Sequence, residues 1–230
     1  MKNELKVINL KFRTQILTYT PTLFTIFYIT FINLYLGGNW NYTSISQYTS
    51  SFNALSSLII AITTYQVIHF EESIGHFNHI LGKSKRNLWV CATLSYIFIN
   101  YLFCLLISTV NFIVMTHNVK LTLFYVASSS FMNIIIILLI FIISLFTGSI
   151  FSMVSGVVIT IFNIYFGIEM LGDKSWYYIP ITYSTRYTSM FINNSVPFFL
   201  TMSIYIISII MMFICLLVLV KNWSGRSIQD

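Results

Sequence analysis

Ionisable side chains gather in one stretch, residues 69–86, of a chain that carries few charges elsewhere. The stretch contains two carboxylates and three imidazoles: His69, Glu71, Glu72, His76 and His79. On a helix, side chains three or four residues apart lie on one face, where carboxylate and imidazole groups together could bind a metal ion. The stretch lacks the His-Glu-x-x-His spacing of zinc hydrolases, so we predict no metal site and no catalytic residue in it.

Two other motifs in this stretch are incomplete. Membrane-embedded proteases linked to bacteriocin immunity carry a Glu-Glu pair followed by x-x-x-Arg, but here His76 stands where the arginine is required. Gly82-Lys83-Ser84 matches the end of a phosphate-binding loop, which needs another glycine five residues before Gly82. Phe77 stands at that position. We therefore predict that this chain binds no nucleotide, and we keep an intramembrane protease only as the less favoured alternative.

The same stretch has the pattern of a short amphipathic helix over about 71–81. Acidic residues lie at its start and basic residues at its end, as the helix dipole favours. Ile74, Phe77 and Leu81 fall on one face, and Gly82 can end the helix. We predict a cytoplasmic helix that inserts into a groove on a cytosolic partner. The alternative is a solvated connector that its basic end holds to the lipid headgroups.

The composition is that of an integral membrane protein. Of the 230 residues, 57% are hydrophobic and only 8% are charged, and the mean hydropathy is +0.82. A soluble domain carries about 25% charged residues, and a disordered chain needs low hydrophobicity, so both classes are excluded. The apolar runs are continuous rather than alternating, which excludes an outer-membrane barrel.

The charge-free runs set the number of spans. Four runs, of 57, 33, 48 and 34 residues, contain no Asp, Glu, Lys or Arg. Because one membrane helix needs about 20 residues, the runs hold two, one, two and one helices. The predicted fold is therefore all-α, a single transmembrane domain over residues 1–230. Its six predicted helices lie at about 16–36, 49–70, 88–114, 121–144, 149–169 and 198–220.

The basic residues predict the orientation. Nine of the twelve Lys and Arg residues fall on one side of the six spans, which places both termini in the cytoplasm of a multi-pass cell-membrane protein. The net charge of +6 then follows from topology, and no nucleic-acid partner is needed. Residues 1–15 carry Leu5, Ile8 and Phe12 at helical spacing between lysines, which predicts an interfacial amphipathic arm on the bilayer.

Within the spans, small and polar residues indicate helix packing. Gly148, Ser152 and Gly156 form a small-residue stripe, expected to pack within the subunit or at a dimer interface. Amide side chains occur at seven span positions, where we expect mostly interhelical hydrogen bonds: Asn33, Asn53, Gln66, Asn100, Asn111, Asn133 and Asn163. Charged residues are absent from the middle of every predicted span, which argues against an ion-coupled carrier and for an external energy source.

Taken together, these features resemble the permeases of type-2 ABC exporters. Among these, the chain looks most like the small permeases of lantibiotic-immunity and phenol-soluble-modulin export systems in Gram-positive bacteria. The residues that carry the resemblance are Glu71-Glu72-x-x-Gly75 running to Gly82-Lys83-x-Lys85-Arg86, and Trp176-x-x-Ile179-Pro180 followed by Tyr183 and Arg186. The first group would form the coupling helix, and the second would form short helices in the outer segment before the last span.

The resemblance implies a division of labour. Two permeases, identical or paired with a sister, would sit on two cytosolic ABC ATPase subunits, which would bind ATP and Mg. This chain would itself bind no cofactor and would not be an enzyme. Its substrate would be an amphipathic, membrane-active peptide moved outward for secretion or self-immunity. The competing hypothesis is a stand-alone membrane immunity protein that sequesters a bacteriocin without transporting it.

Overall fold

The computed structural model describes residues 16–37, 40–75, 77–82, 86–168, 176–192, 198–223 and 225. The amphipathic arm predicted for residues 1–15 lies outside the described residues. Helix accounts for 93% of the described residues, and no strand occurs among them.

Nine α-helices are assigned within the described ranges. They are α1 (Thr20–Leu36), α2 (Tyr42–Gly75), α3 (Asn78–Leu81), α4 (Arg86–Thr116), α5 (Val119–Met132), α6 (Ile134–Thr147), α7 (Ser149–Phe162), α8 (Tyr183–Ile192) and α9 (Phe198–Lys221). A 3₁₀ turn, Ile16–Tyr19, precedes α1, and a π-helical turn, Asn163–Ile168, follows α7. Two further 3₁₀ turns, Trp176–Tyr178 and Pro180–Thr182, lead into α8.

Five helical stretches are long and apolar enough to cross a membrane, as expected of a multi-pass membrane protein. They are Tyr42–Ile74, Arg86–Thr116, Val119–Thr147, Ser149–Ile168 and Phe199–Lys221. The helix Thr20–Leu36 is apolar but shorter. The break between α5 and α6 is a single turn, so the two form one crossing.

Helix α2 lies at the centre of the bundle. It packs against α7, α8, α6 and α4, and 72% of its most apolar window is buried, compared with 17% for α9. The peripheral α9 instead exposes a continuous row of isoleucine and methionine side chains of the kind that face lipid. The most polar of the crossing helices is therefore the one best shielded from lipid.

The structure corrects the predicted start of the second span, because α2 begins at Tyr42 rather than near residue 49. The hydroxyl of Thr49 donates to the carbonyl oxygen of Ile45 at 3.1 Å, which satisfies the hydroxyl within the helix. The buried ring of Tyr48 packs 5.3 Å from Trp40 and 5.6 Å from Phe112. Tertiary packing thus keeps this Ser- and Thr-rich segment helical, although its composition resembles a loop.

The structure also interrupts the predicted fourth span at Asn133, between α5 and α6. The side-chain Nδ2 of Asn133 donates to the carbonyl oxygen of Ser129 at 2.9 Å, while its backbone N–H donates to the same carbonyl oxygen at 3.2 Å. Asparagine favours such local bonds over regular helix, which explains the turn at this position.

Helices α6 and α7 meet at Gly148, between the predicted fourth and fifth spans, at the end of the bundle that we call inner because the charge pattern predicts that it faces the cytoplasm. Gly148 has φ +140°, a backbone conformation that residues other than glycine rarely adopt. The chain therefore reverses in a single residue, and α7 returns alongside α2 with only a minimal connection.

Gly156, from the predicted small-residue stripe, packs against α2 within this chain. Ser152 is fully buried, and an ideal Cβ on Gly156 would lie 2.3 Å from the Cβ of Ala61. One turn further along, the hydroxyls of Ser57 and Thr160 share a hydrogen bond of 2.6 Å. These contacts bring the two backbones close together and fix their register.

We predict that Gly156→Ala lowers the melting temperature of the purified protein. The added methyl group overlaps Ala61, and such overpacking costs about 1–3 kcal/mol, partly offset by about 1 kcal/mol of helix propensity. Gly82→Ala is the matched control, because its Cβ would meet Asn78 at an ordinary 3.5 Å. Adding Ala61→Gly to Gly156→Ala should restore part of the loss, whereas equal melting of both single variants would contradict this packing.

Candidate functional site

The inner end of α2 joins the predicted coupling segment to α7. Glu71 is buried and Glu72 is half-buried, whereas Ile74 is 68% exposed. The Oε2 atom of Glu72 accepts a hydrogen bond of 3.4 Å from the backbone N–H of Ser149, the first residue of α7. A carboxylate at this helix end satisfies a free N–H group and complements the positive end of the helix dipole.

Helix α2 ends at Gly75, and Phe77 begins a sharp change of direction. Phe77 has φ +66°, which is unusual for a bulky residue, yet its side chain is only 2% exposed. Its ring lies edge-on to Trp223, with 5.1 Å between the ring centres. Aromatic packing therefore holds the backbone in a conformation that costs energy.

The segment that follows α9 closes over this break. The guanidinium of Arg86 donates to the carbonyl oxygens of Trp223 at 2.5 Å and Leu81 at 2.9 Å. The Trp223 ring also lies edge-on to Phe146, with ring centres 6.2 Å apart. We call this arrangement of Phe77, Leu81, Arg86 and Trp223 the inner clamp. It ties the connection between α2 and α4 to the end of α9.

These findings correct the single helix predicted over about 71–81. Residues up to Gly75 continue α2, and the short α3 starts only after Phe77. Ile74 points to the outside, whereas Phe77 and Leu81 pack against the rest of the chain, so the three side chains do not form one open apolar face. The positive φ of Phe77 breaks the helical periodicity on which the prediction depended. Gly82 is the C-terminal cap of α3.

His69 lies beside the start of α7, near the inner end of α2. The Nδ1 atom of His69 lies 3.5 Å from the hydroxyl oxygen of Ser149, and its ring stacks on Tyr65 at 5.1 Å. No cluster of three or more His, Cys, Asp and Glu residues that could hold a metal ion occurs among the described residues. His76 lies outside them.

The outer segment before α9 forms a tightly packed aromatic cap. Trp176 and Tyr183 are fully buried, with their rings edge-on at 5.6 Å, and Pro180 starts the 3₁₀ turn between them. Arg186 is 5% exposed, and its Nε donates to the carbonyl oxygen of Phe166 in the π-helical turn at 3.1 Å. The residues predicted for this segment therefore lie together and pack onto the end of the fifth crossing.

The tyrosines of this cap remain neutral hydrogen-bonding groups at physiological pH. Burial raises the pKa of Tyr183 to about 12, and the neighbouring phenol of Tyr187 adds to the rise. Burial also raises the pKa of Tyr187, while a hydrogen bond to Thr201 acts in the opposite direction. Tyr183 donates its hydroxyl hydrogen to the carbonyl oxygen of Tyr177, which joins the two parts of the cap.

Two hydrogen-bond networks cross the bundle, and the sequence indicates their amide members but not how these are paired. Towards the outer side, the Nδ2 of Asn33 donates to the Oδ1 of Asn111 at 2.9 Å, which links α1 to α4. Deeper in the bundle, the Nδ2 of Asn133 donates to the hydroxyl of Tyr101 at 2.8 Å, and its Oδ1 accepts from the hydroxyl of Ser56 at 2.9 Å. Because the prediction from the sequence considers only the amide side chains, it misses the tyrosine members of these networks.

An apolar cavity of about 240 Å³ opens between α4, α6 and α9. Its lining residues are Leu94, Ser95, Phe98, Ile134, Ile137, Leu138, Ile209 and Phe213. The hydroxyl of Ser95 donates to the carbonyl oxygen of Cys91 at 2.8 Å, so this polar group is satisfied within its own helix. The cavity is suited to hydrocarbon.

Comparison of the chain with protein-family models, with curated proteins and with solved structures finds no match.

We predict that Trp223→Ala opens the inner clamp. Removing a buried tryptophan ring costs about 3–5 kcal/mol in a protein core, and here the ring is the contact surface of Phe77. Trypsin should therefore cleave after Arg86 faster in Trp223→Ala than in the wild type, as followed by mass spectrometry of the membrane-embedded protein. Trp223→Phe keeps an aromatic ring and should stay near the wild-type rate. Equal rates in all three proteins would show that the clamp does not protect this connection.

Proposed function

We propose that this chain is the membrane-spanning permease subunit of an ATP-driven ABC exporter that moves amphipathic, membrane-active peptides outward. It would act with cytosolic ABC ATPase subunits that bind ATP and Mg, and with a second copy of itself or a sister permease. The observation that carries the proposal is the inner end of α2, where an exposed apolar side chain continues the most buried helix of the bundle.

This end of α2 has the features of a coupling element. Ile74 exposes 68% of its surface at the end of a 34-residue helix, and Glu72, two residues earlier, holds the first N–H of α7. A partner that bound around Ile74 would therefore push on α2 and α7 together. Burying one isoleucine side chain contributes about 1.5–3 kcal/mol to such a contact.

The dimensions of the first helix support six spans. The 3₁₀ turn Ile16–Tyr19 and α1 together would extend for about 33 Å, close to the ~30 Å hydrocarbon thickness of a bilayer. With α1 added to the five longer crossings, both termini lie on the same side. The excess of Lys and Arg on that side supports the proposal that it is the cytoplasmic side of the cell membrane.

The interior favours an apolar or amphipathic cargo. In the described part of the chain, Asp, Glu, Lys and Arg lie only near the ends of the crossings or in the outer cap, so no charged site at mid-depth would bind an ion or drive ion coupling. The apolar cavity opens between three crossings and suits a hydrocarbon group of a peptide or lipid. An external energy source such as ATP fits this composition.

One observation favours the alternative of a stand-alone membrane immunity protein. Phe77 and Leu81, expected to insert into a partner, instead pack within the inner clamp. This leaves a single large apolar side chain, Ile74, exposed at the inner end of α2. A protein that sequesters a bacteriocin by binding alone would need no larger docking surface. An intramembrane protease is the less favoured third possibility, and it would depend on Glu71 or Glu72.

We predict that Ile74→Asp abolishes co-purification of an ABC ATPase whose gene neighbours the gene for this chain. The new carboxylate would be buried without a partner in the contact, which we expect to weaken binding at least about tenfold. Asn222→Asp is the matched control. Asn222 is exposed just after the last residue of α9, at the same inner end of the bundle as Ile74, and the substitution introduces the same charge. The bound ATPase is quantified by immunoblot after solubilisation in mild detergent.

The outcome of this experiment separates the three functions. Retention of the ATPase by the wild type and by Asn222→Asp, with loss from Ile74→Asp, supports the exporter and its docking point. If no ATPase binds the wild type, the exporter proposal fails. Immunity that survives without any ATPase then favours the binding protein, and its loss in Glu71→Gln favours the protease.

A further inference from the structure

Two amide side chains inside the bundle have unmet hydrogen-bonding atoms. Asn163 is fully buried, and neither its Nδ2 nor its Oδ1 has a partner in the described part of the chain. Asn53 is also fully buried, and its Nδ2 has no partner there either. In a membrane interior, water from the bulk does not reach such groups, so leaving three of them unmet would be strongly unfavourable.

The register of α2 and α7 places these two asparagines at the same level. The helices are antiparallel, with Gly156 against Ala61 and Thr160 hydrogen-bonded to Ser57. One turn further outward, this register brings position 163 opposite positions 53 and 54. Asn163 continues the α7 face that contains Gly156 and Thr160, because the three follow each other at intervals of four and three residues.

In the neighbouring Asn133, both ends of the side-chain amide have hydrogen-bond partners. Its Nδ2 donates to Tyr101 at 2.8 Å and its Oδ1 accepts from Ser56 at 2.9 Å, so both ends are used. It also reaches the Oδ1 of Asn53 at 3.4 Å. The acceptor of Asn53 is therefore occupied, while its donor has no partner in the described part of the chain.

We propose that α2 and α7 bind water between Asn53 and Asn163, two helical turns outward of the contact between Gly156 and Ala61. The unmet atoms are two donors and one acceptor, so the ligand must accept and donate hydrogen bonds, which a metal cation cannot do. All of them belong to neutral amides, and the buried Arg186 in the same region already donates to the carbonyl oxygen of Phe166, so a neutral ligand fits this site better than an anion. A small neutral molecule with both functions is water, which commonly fills such sites.

The backbone remains helical at Asn163, where the π-helical turn begins. Asn163 is the first residue of that turn and still has helical backbone angles, φ −66° and ψ −32°. Its backbone N–H donates to the carbonyl oxygens of Ile159 and Thr160, whereas its side-chain Nδ2 and Oδ1 have no partner in the described part of the chain. This inference does not depend on the proposed transport function.

Water-to-amide magnetisation transfer in ¹⁵N-labelled full-length protein, reconstituted in lipid nanodiscs, tests the proposal directly. We expect transfer from water to the side-chain NH₂ groups of Asn163 and Asn53, and weaker transfer to Asn133, whose donor already has protein partners. Resonances are assigned by their loss in Asn163→Leu, Asn53→Leu and Asn133→Leu. If Asn163 and Asn53 receive no more magnetisation than Asn133, the site is dry and the proposal is wrong.

Thermal stability gives an independent test with opposite expected signs. If water bridges the amides, Asn163→Leu removes its partner on α7 and leaves the donor of Asn53 unmet, so the melting temperature falls. If the site is dry, the same change removes two unmet polar atoms and the melting temperature rises. Asn163→Ser retains a hydroxyl group and should fall less than Asn163→Leu. Should the leucine variant fail to fold, the transfer measurement on the wild type and the serine variant still decides.

Discussion

The structure depends on one constraint, the need of polar groups inside a membrane bundle to find partners within the bundle. The chain meets it mainly through hydroxyl groups that bond to their own helix, as Thr63 does by donating to the carbonyl oxygen of Ile59 at 2.9 Å. Several amides and phenols also bond to another helix, as Asn33 does to Asn111 and Tyr101 does to Asn133, and such a bond fixes how the two helices are arranged. Polar residues therefore specify which helices are neighbours, while the apolar surface specifies only that they lie in lipid.

The two ends of the bundle are stabilised differently from its interior, because water competes for hydrogen bonds at the ends. Both ends rely on aromatic rings that exclude water from a few backbone bonds. At the inner end, Trp223 covers Phe77 and accepts from Arg86; at the outer end, Trp176 and Tyr183 form the cap onto which the last helix packs. A strained residue such as Phe77 is stable only because this packing offsets its backbone energy.

The sequence predicts the crossings well because the relevant property, freedom from charge over about 20 residues, is local. It fails where the outcome depends on distant residues. The helical start at Tyr42 depends on Trp40 and Phe112 around Tyr48, and the break at Phe77 depends on Trp223, some 146 positions away. The asparagines could be expected to bond between helices. Their pairing with tyrosines depends on the register of the helices, which cannot be read from a single sequence.

The contacts between α2 and α7 limit how this bundle can move. The helices are joined near the inner end by Glu72 and Ser149, and at mid-depth by Gly156 against Ala61. Near the outer end, Thr185 joins them, since its carbonyl oxygen accepts from Ser50 and its side chain lies against Gly167. Sliding one helix past the other would break all three contacts, whereas rotation of the pair as one body would break none. A force applied at the inner end of α2 would therefore reach the outer cap through a rigid pair of helices, and the weaker contacts around α9 would accommodate the movement.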